Sequence, residues 1–477
     1  MRALHVAVVG GGISGLAAAH RLRCLLGAQA RITVVEQADR LGGKLRTGEV
    51  GGRAYDVGAE AFLHRRPEAA ELVAELGLGG DLAHPTPAAA SIRAAGAVRP
   101  IPAHTLMGVP ASVEAVRQVL SADGLRRVAA EPGLPPIELA GADVAVGALL
   151  RERFGPEVGD RLVSPLLGGV YAGRADALGL RATMPRLATA LDSGVGSLLA
   201  AAATTMPAPP QPRGKRPPVF GTLTGGLSSL VDRLVEVAAP EVKLGLPVRG
   251  LVRREHDWRL EIGSAASPRH LDVDGVVLAV PAPAARKLLA DVAPAASKQY
   301  AKVEVASMAV VALALPPGTA LPERSGVLLA EGERFADGTP FTAKAFTFSS
   351  RKWAHLGGPA SGDEPVLVRG SVGRHGEVEA LRRDDGELVA AVRADLAELT
   401  GITAAPVDAV VTRWGGGLPQ YGVGHLDVVK GIEDAVADVP GLAVAGATLH
   451  GVGIPACIAT GDAAAARVAA HVLGRVR

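Results

Sequence analysis

The chain is poor in the residues that most often announce chemistry. It has two cysteines, Cys24 and Cys457, so no disulfide framework can be drawn and nothing points to an oxidising compartment. A core position is the default expectation for both. Charge of neither sign dominates. The formal net charge is +2 and no long basic run occurs. Nucleic acid is therefore not the implied partner, while a local basic patch facing an anionic substrate stays open. No uncharged apolar run reaches the ~18–20 residues that a membrane span needs. Leu187 to Met206 comes nearest, and Asp192, Ser193, Gly194 and Gly196 interrupt it. Surface association through this helical region stays open. The apolar start, Met1 to Ala19, is broken by glycines and leads on to Glu36, so it reads as a cytoplasmic N-terminal strand and not as a signal peptide. No Ser-His-Asp set, His–carboxylate metal pattern or pair of catalytic carboxylates stands out. Neither a metal site nor a catalytic side chain is expected.

What is present is organised around Val6 to Glu36. Val6–Val9 is a short apolar run suited to a buried parallel strand. Gly10, Gly12 and Gly15 then stand in a G-x-G-x-x-G frame, Leu16 to Leu26 has helical spacing, and Ile32–Val35 is a second apolar run ending in Glu36. Strand, glycine turn, helix and strand make a dinucleotide-binding unit. Gly10 allows the sharp turn, Gly12 lets the backbone approach a pyrophosphate, and Gly15 lets helix and strand pack closely. The helix N-terminus offers free N–H groups to the phosphates. Glu36 lies where a carboxylate accepts from a ribose 2′-OH. Directly after it, Arg40-Leu41-Gly42-Gly43-Lys44 would fold a second loop over the pyrophosphate, with Arg40 or Lys44 adding positive charge.

Hydrophobic residues make up 48% and charged residues 21% of 477 residues, a globular composition long enough for two or three domains. Periodicity predicts a helix at Pro67–Leu78 and a hairpin at Ser91–Pro102 around Ala95-Gly96. Residues 112–203 read as largely helical, with Glu114–Leu120, Val144–Phe154 and Pro156–Leu167 the clearer pieces. Pro207–Pro218 reads as a mobile proline-rich connection. Strand, turn and helix follow at Val219–Leu230. Short strands are expected at Glu241–Leu251, Trp258–Ile262 and Asp274–Pro281. A second sheet would use Val303–Leu315, Val366–Val372 and Val407–Arg413, with a helix at Asp385–Leu399. The chain closes with a strand at Leu442–Gly446, a glycine-rich loop, and a helix from about Thr460 to Leu473.

The E-x-x-x-R-x-G-G run that begins at Glu36 resembles FAD enzymes of the amine-oxidase and phytoene-desaturase clan. Further segments point the same way: Tyr55–Glu60, Gly169-Val170-Tyr171-Ala172-Gly173, Ala343–Trp353, Arg369–Arg374, Trp414, Leu418-Pro419-Gln420-Tyr421 through His425, and Gly451-Val452-Gly453-Ile454-Pro455-Ala456-Cys457-Ile458. Together they resemble the protoporphyrinogen/coproporphyrinogen oxidase family of soluble bacterial type, over nearly the full length. The resemblance implies an α/β and α+β fold. A discontinuous Rossmann-type FAD-binding domain would take residues 1–80, 219–295 and 414–477. A mixed-sheet substrate-binding domain would take 81–104 and 296–413, with a helical insertion at 105–206 and the connection at 207–218.

Carried over residue by residue, it implies that Gly10, Gly11, Gly12, Ile13, Ser14 and Gly15 hold the pyrophosphate, with Glu36 and Gln37 at the adenosine ribose. Arg40 and Gly43 belong to the loop over the pyrophosphate, while Lys44 and the backbone of Gly58, Ala59, Glu60 and Ala61 would lie along the ribityl and flavin portions. Val248 would meet adenine through its backbone, and Trp414, Val452, Gly453 and Ile454 would pack near the adenosine or isoalloxazine. Two departures stand out: Arg174 replaces the usual aspartate after Y-A-G, and Gly58-Ala59 replaces G-P.

The implied chemistry needs no catalytic side chain, because the flavin N5 accepts the hydride. One dinucleotide fingerprint and no second favours O2 as acceptor and peroxide as product. The expected reaction is coproporphyrinogen III to coproporphyrin III in the cytoplasm, followed by hand-over to ferrochelatase. Protoporphyrinogen IX is the rival substrate. An amine oxidase is a further alternative, although four tyrosines and three tryptophans leave few rings for its aromatic cage. A flavin-fold binding protein without redox chemistry is the last. Arg65, Arg66 and Lys352 are the named candidates for substrate propionates, with Lys344 and Arg351 near the last of these. Tyr171 would line the substrate side by packing. His425 is expected to make a structural hydrogen bond, and Cys457 is not expected to link covalently to flavin.

Overall fold

A computed structural model describes residues 3–206, 218–357 and 362–475. The run His5–Val9 is wholly buried, as the apolar Val6–Val9 requires of a strand covered on both faces. It pairs in parallel with Arg31–Val35 on one side and Gly275–Leu278 on the other. Glu241–Lys243 and Leu442–Val444 complete a five-stranded parallel sheet drawn from three well-separated stretches of chain. The first helix, Ile13–Leu26, and the last, Ile454–Gly474, cover it. A Cβ on Gly461 would lie 2.3 Å from the Ser14 carbonyl oxygen, so glycine is what lets these two helices approach so closely.

A second, mixed sheet has seven strands, in the order Asp408–Pro419, Val305–Leu315, Val366–Val372, Ala343–Thr347, Gly326–Leu329, Ala90–Ala94 and Ala97–Pro100. Gly326–Leu329 runs parallel to Ala90–Ala94, and the other pairs are antiparallel. Alternation gives it two apolar faces. Val311, Leu313, Phe346 and Val368 pack on Leu388 and Val392 of the helix Asp385–Thr400. Ala312, Ala314 and Leu367 pack on Val50, Tyr55 and Val57 from the N-terminal segment. The helical region builds its own core around Phe154, Leu162, Leu167 and Leu187. Inside it, Arg153 meets the fully buried Glu131 at 2.8 Å, and Glu131 also accepts the Leu198 N–H at 2.8 Å. A buried carboxylate is tolerable there because each oxygen has a donor.

Several expectations shift. The stretch Glu114–Leu120 forms only a short 3-10 turn at Glu114–Val116, and Pro156–Leu167 breaks into Pro156–Val158, a wide turn at Gly159–Val163 and the helix Ser164–Tyr171. The C-terminal helix starts at Ile454, not near Thr460, because Pro455 suits a helix's first turn and Gly461 serves packing. Cys24 is exposed and not in the core; Cys457 is buried. The expected connection at 207–218 lies, but for Pro218, outside the described residues. No described helix is long and apolar enough to cross a membrane.

Candidate active site

The glycine frame closes as its spacing demands. Gly10 sits at φ +103°, and a Cβ there would lie 2.3 Å from the Ala279 carbonyl oxygen. A Cβ on Gly15 would lie 1.9 Å from the Gly10 oxygen. Gly12 differs: it caps the first helix in extended backbone, and a Cβ there meets no protein atom within 4 Å. Its open side is the space a group approaching the helix N-terminus would fill. Ile13 and Ser14 are buried beneath it. Glu36, at the end of the second strand, accepts the Gly11 N–H at 2.7 Å and the Ala38 N–H at 2.8 Å, and Gln37 is exposed beside it. Leu246 N–H donates to the Glu36 carbonyl at 3.0 Å, which brings the turn before Val248 against the same edge.

The second loop lies on the first. Gly42 N–H donates to Gly11 O at 2.8 Å, and a Cβ on Gly43 would stand 3.1 Å from the Gly12 Cα. Arg40 does not reach outward; its guanidinium donates to Leu41 O at 3.0 Å and Gly43 O at 2.8 Å, so it braces the loop. Lys44 makes no ion pair among the described residues, and burial lowers its pKa. It lies close enough to Cys457 for the two to interact electrostatically, and the Cys457 thiol, its pKa raised by burial, sits near Ser14 and faces Gly451 O and Val452 O at 3.9 Å. Chain start, second loop and C-terminal helix therefore meet at one place. Gly453 caps that helix, with Val452 and Ile454 on either side. Trp414 donates from Nε1 to Val57 O at 3.2 Å, and its ring leaves only 3.1 Å for a Cβ on Gly58. Ala59 N–H donates to Lys44 O at 3.0 Å.

Across the seam, Glu60 pairs with Lys352 and, at 3.4 Å, with Arg369. Ala61 follows, half-buried. Arg369 went unassigned in the sequence, yet it is buried and also donates to Gly58 O at 2.9 Å and Asp56 O at 3.3 Å. The available signal was a lone arginine in the apolar strand VLVRGSV. Lys352 Nζ lies 4.9 Å from the Trp353 ring. Lys344, 5% exposed, has no side-chain hydrogen bond or ion pair among the described residues, and burial, then Arg374, brings its pKa to about 7. Its strand packs against the helix Ser164–Tyr171. Arg65 is exposed, Arg66 is bound to Glu68 at 2.7 Å, and Arg351 donates to Leu321 O at 3.3 Å. Arg174 is occupied by Glu377 at 2.7 Å and Glu331 at 3.2 Å. Tyr171, its hydroxyl pushed up to about 12 by burial, packs 5.4 Å from the Tyr421 ring. Tyr421 stacks on His425, whose Nε2 reaches Leu449 O at 3.3 Å, the structural bond expected of it.

Residues 13–469 match the family described as flavin containing amine oxidoreductase. The chain belongs to that family. It is an FAD-dependent oxidoreductase, and the open face at Gly12, the donor-rich helix start and the carboxylate at Glu36 suit that cofactor. Among its relatives, coproporphyrinogen III oxidase of Mycobacterium leprae is 42% identical over 98% of each chain. Coproporphyrinogen III oxidase of Bacillus subtilis is 31% identical, covering 96% of this chain and 97% of its own. A crystal structure from Exiguobacterium sp. 255-15, provisionally assigned as a protoporphyrinogen oxidase, superposes with TM-score 0.84 at 29% identity, covering 98% of this chain and 99% of its own.

Proposed function

We propose that this chain oxidises coproporphyrinogen III to coproporphyrin III with O2 as acceptor and H2O2 as product. The observation that carries the substrate is the full-length match to relatives bearing that name, at 42% identity over 98% of both chains. Bound FAD would supply the acceptor for an electron pair leaving the macrocycle, three times per porphyrin. The chain's own residues prepare the site. Gly10 to Gly15 and Gly43 would hold the pyrophosphate against backbone N–H groups, with Glu36 on the ribose. Lys44 and the N-terminus of the helix capped by Gly453 place positive potential beside Cys457, where it would favour negative charge on a reduced ring. Arg369 and Lys352 set two positive charges against the one on Glu60, so the wall formed by Gly58 to Ala61 carries no uncompensated negative charge.

On the substrate side, Arg65 and Arg66 would attract propionates at a wet rim, and Lys344, a buried amine whose side chain has no hydrogen bond or ion pair among the described residues, would be held charged by a carboxylate. Tyr171 would line the same side by packing. The cofactor domain would comprise 1–80, 219–295 and 414–477, the substrate domain 81–104 and 296–413, and the helical insertion 105–206. The reaction would take place in the cytoplasm, with the porphyrin passed on to ferrochelatase. The Exiguobacterium structure favours a second reading, protoporphyrinogen IX. Steady-state assays on both porphyrinogens side by side decide between them. A higher kcat/KM on coproporphyrinogen is expected, and an equal or higher value on protoporphyrinogen overturns the assignment.

A further inference from the structure

One cluster of ligand-type side chains has no part in the cofactor or substrate site. His20 and Cys24 stand four residues, one turn, apart on the first helix, and Glu75 ends the helix Pro67–Glu75 beside them. His20 Nε2 lies 3.9 Å from Cys24 Sγ and 3.8 Å from Glu75 Oε1. All three ligand atoms fall within 4.8 Å of one another. Bonds of about 2.0–2.1 Å to N or O and about 2.3 Å to S, at tetrahedral angles, set the corresponding edges at about 3.3–3.6 Å. Closing the cluster onto a metal therefore takes about 0.3–0.5 Å on the two His20 edges and up to about 1.2 Å on the Cys24–Glu75 edge, within reach of rotamer adjustment at two exposed side chains.

The second observation is the state of the imidazole. His20 is 5% exposed, yet among the described residues its polar contacts are only the long ones to the thiol and to Glu75. A buried ring nitrogen normally finds a close partner. Here it is aimed at two exposed ligand atoms instead. Asp462, on the C-terminal helix, lies near enough to interact with Glu75, and Arg21 is the neighbouring cation that both Asp462 and Cys24 feel. A carboxylate, a thiol and an imidazole from two helices thus converge, with Asp462 and Arg21 as nearby charges. His20 is eight residues, about 12 Å, down the first helix from Gly12, well removed from the pyrophosphate loop.

We propose that His20, Cys24 and Glu75 form a site for a divalent cation of borderline softness, of the Zn2+ class, with water as the fourth ligand. Binding converts the Cys24 thiol to a metal-bound thiolate and releases its proton to solvent. The imidazole stays neutral and coordinates through Nε2. The site would clamp the first helix to the helix Pro67–Glu75, a structural role separate from the redox chemistry.

The test uses the flavin-loaded protein, stripped of metal and titrated with Zn2+ and, separately, Co2+. Binding of one Zn2+ per chain and a thiolate-to-cobalt charge-transfer band are expected. Cys24→Ser should abolish the band, and Glu75→Gln should weaken Zn2+ binding at least tenfold. Both positions are exposed, so folding and flavin content should be unchanged. Saturating Zn2+ should also slow thiol labelling of Cys24, which is distinguishable from the buried Cys457 by its rate. Absence of the charge-transfer band, Zn2+ affinity unchanged in the Cys24→Ser/Glu75→Gln double variant, or Cys24 labelling indifferent to Zn2+ would each overturn the proposal.

Discussion

Gly12→Val separates cofactor binding from folding more cleanly than any other change in the glycine frame. A Cβ at Gly12 meets no protein atom within 4 Å, and the residue already has extended backbone, φ −76° and ψ 176°, which valine adopts readily. The fold loses only the mild preference for glycine over valine at a helix N-cap, about 0.5–1 kcal/mol. The cofactor loses far more. The added isopropyl group occupies the face where the helix N-terminus and the loop at Gly43 converge. Pushing a pyrophosphate outward breaks charge-assisted bonds to backbone N–H groups, each contributing about 1.5–3 kcal/mol. Two such losses weaken FAD binding by about 3–6 kcal/mol, roughly 10² to 10⁴-fold. Purified Gly12→Val should be colourless and soluble, with a melting temperature within a few degrees of deflavinated wild type. Gly15→Val is the contrast: its Cβ would stand 1.9 Å from the Gly10 oxygen, so it should fail to fold at all. Flavin content, read as visible absorbance against protein absorbance, and thermal melts together decide the matter. A folded Gly12→Val protein with normal flavin content would refute the placement of the pyrophosphate.

Three further outcomes are expected. Reduced enzyme mixed with aerated buffer should reoxidise without NAD(P)+ or quinone and release about three peroxides per porphyrin, since six electrons leave in pairs; negligible aerobic reoxidation removes O2 as acceptor. Neutralising Arg65 and Arg66 to Gln should raise KM for coproporphyrinogen about 1.5- to 5-fold, as fits exposed charges, more than for protoporphyrinogen, and high salt should mimic it. Equal losses on both substrates without salt dependence would place these arginines elsewhere. Lys344, held at about 7 in the fold, titrates near its ordinary ~10.4 when unfolded. Between those values the unfolded chain binds a proton that the folded chain does not, so stability rises with pH across that window and the lysine costs most below pH 7. Lys344→Met should therefore raise the melting temperature most near pH 6, by up to several kcal/mol of stability, with the gain fading toward pH 10; a pH-independent gain contradicts a buried, titrating amine.

The nucleotide unit was legible because its physics is local. Strand, glycine turn, helix and acidic strand end are fixed by residues within one short window, so the places of Gly10, Gly12, Gly15 and Glu36 in that unit could be read from spacing alone. The long strands of the second sheet and the helix Asp385–Thr400 were equally plain, their periodicity being continuous. What the tertiary structure decided are the positions whose neighbours are far away in sequence. Whether Pro455 and Gly461 belong to a loop or a helix depends on the first helix, against which Gly461 packs. Arg40 looked like a phosphate ligand until its guanidinium was seen to be used by its own loop. Arg369 became a brace only once Gly58 lay beside it, 311 residues away in sequence. Cys24 read as a core residue because helical spacing does not reveal which face a neighbouring helix leaves open. Sequence sets what each segment prefers within a few residues, whereas burial, pairing and charge balance are properties of segments brought together, and only the assembled fold assigns them.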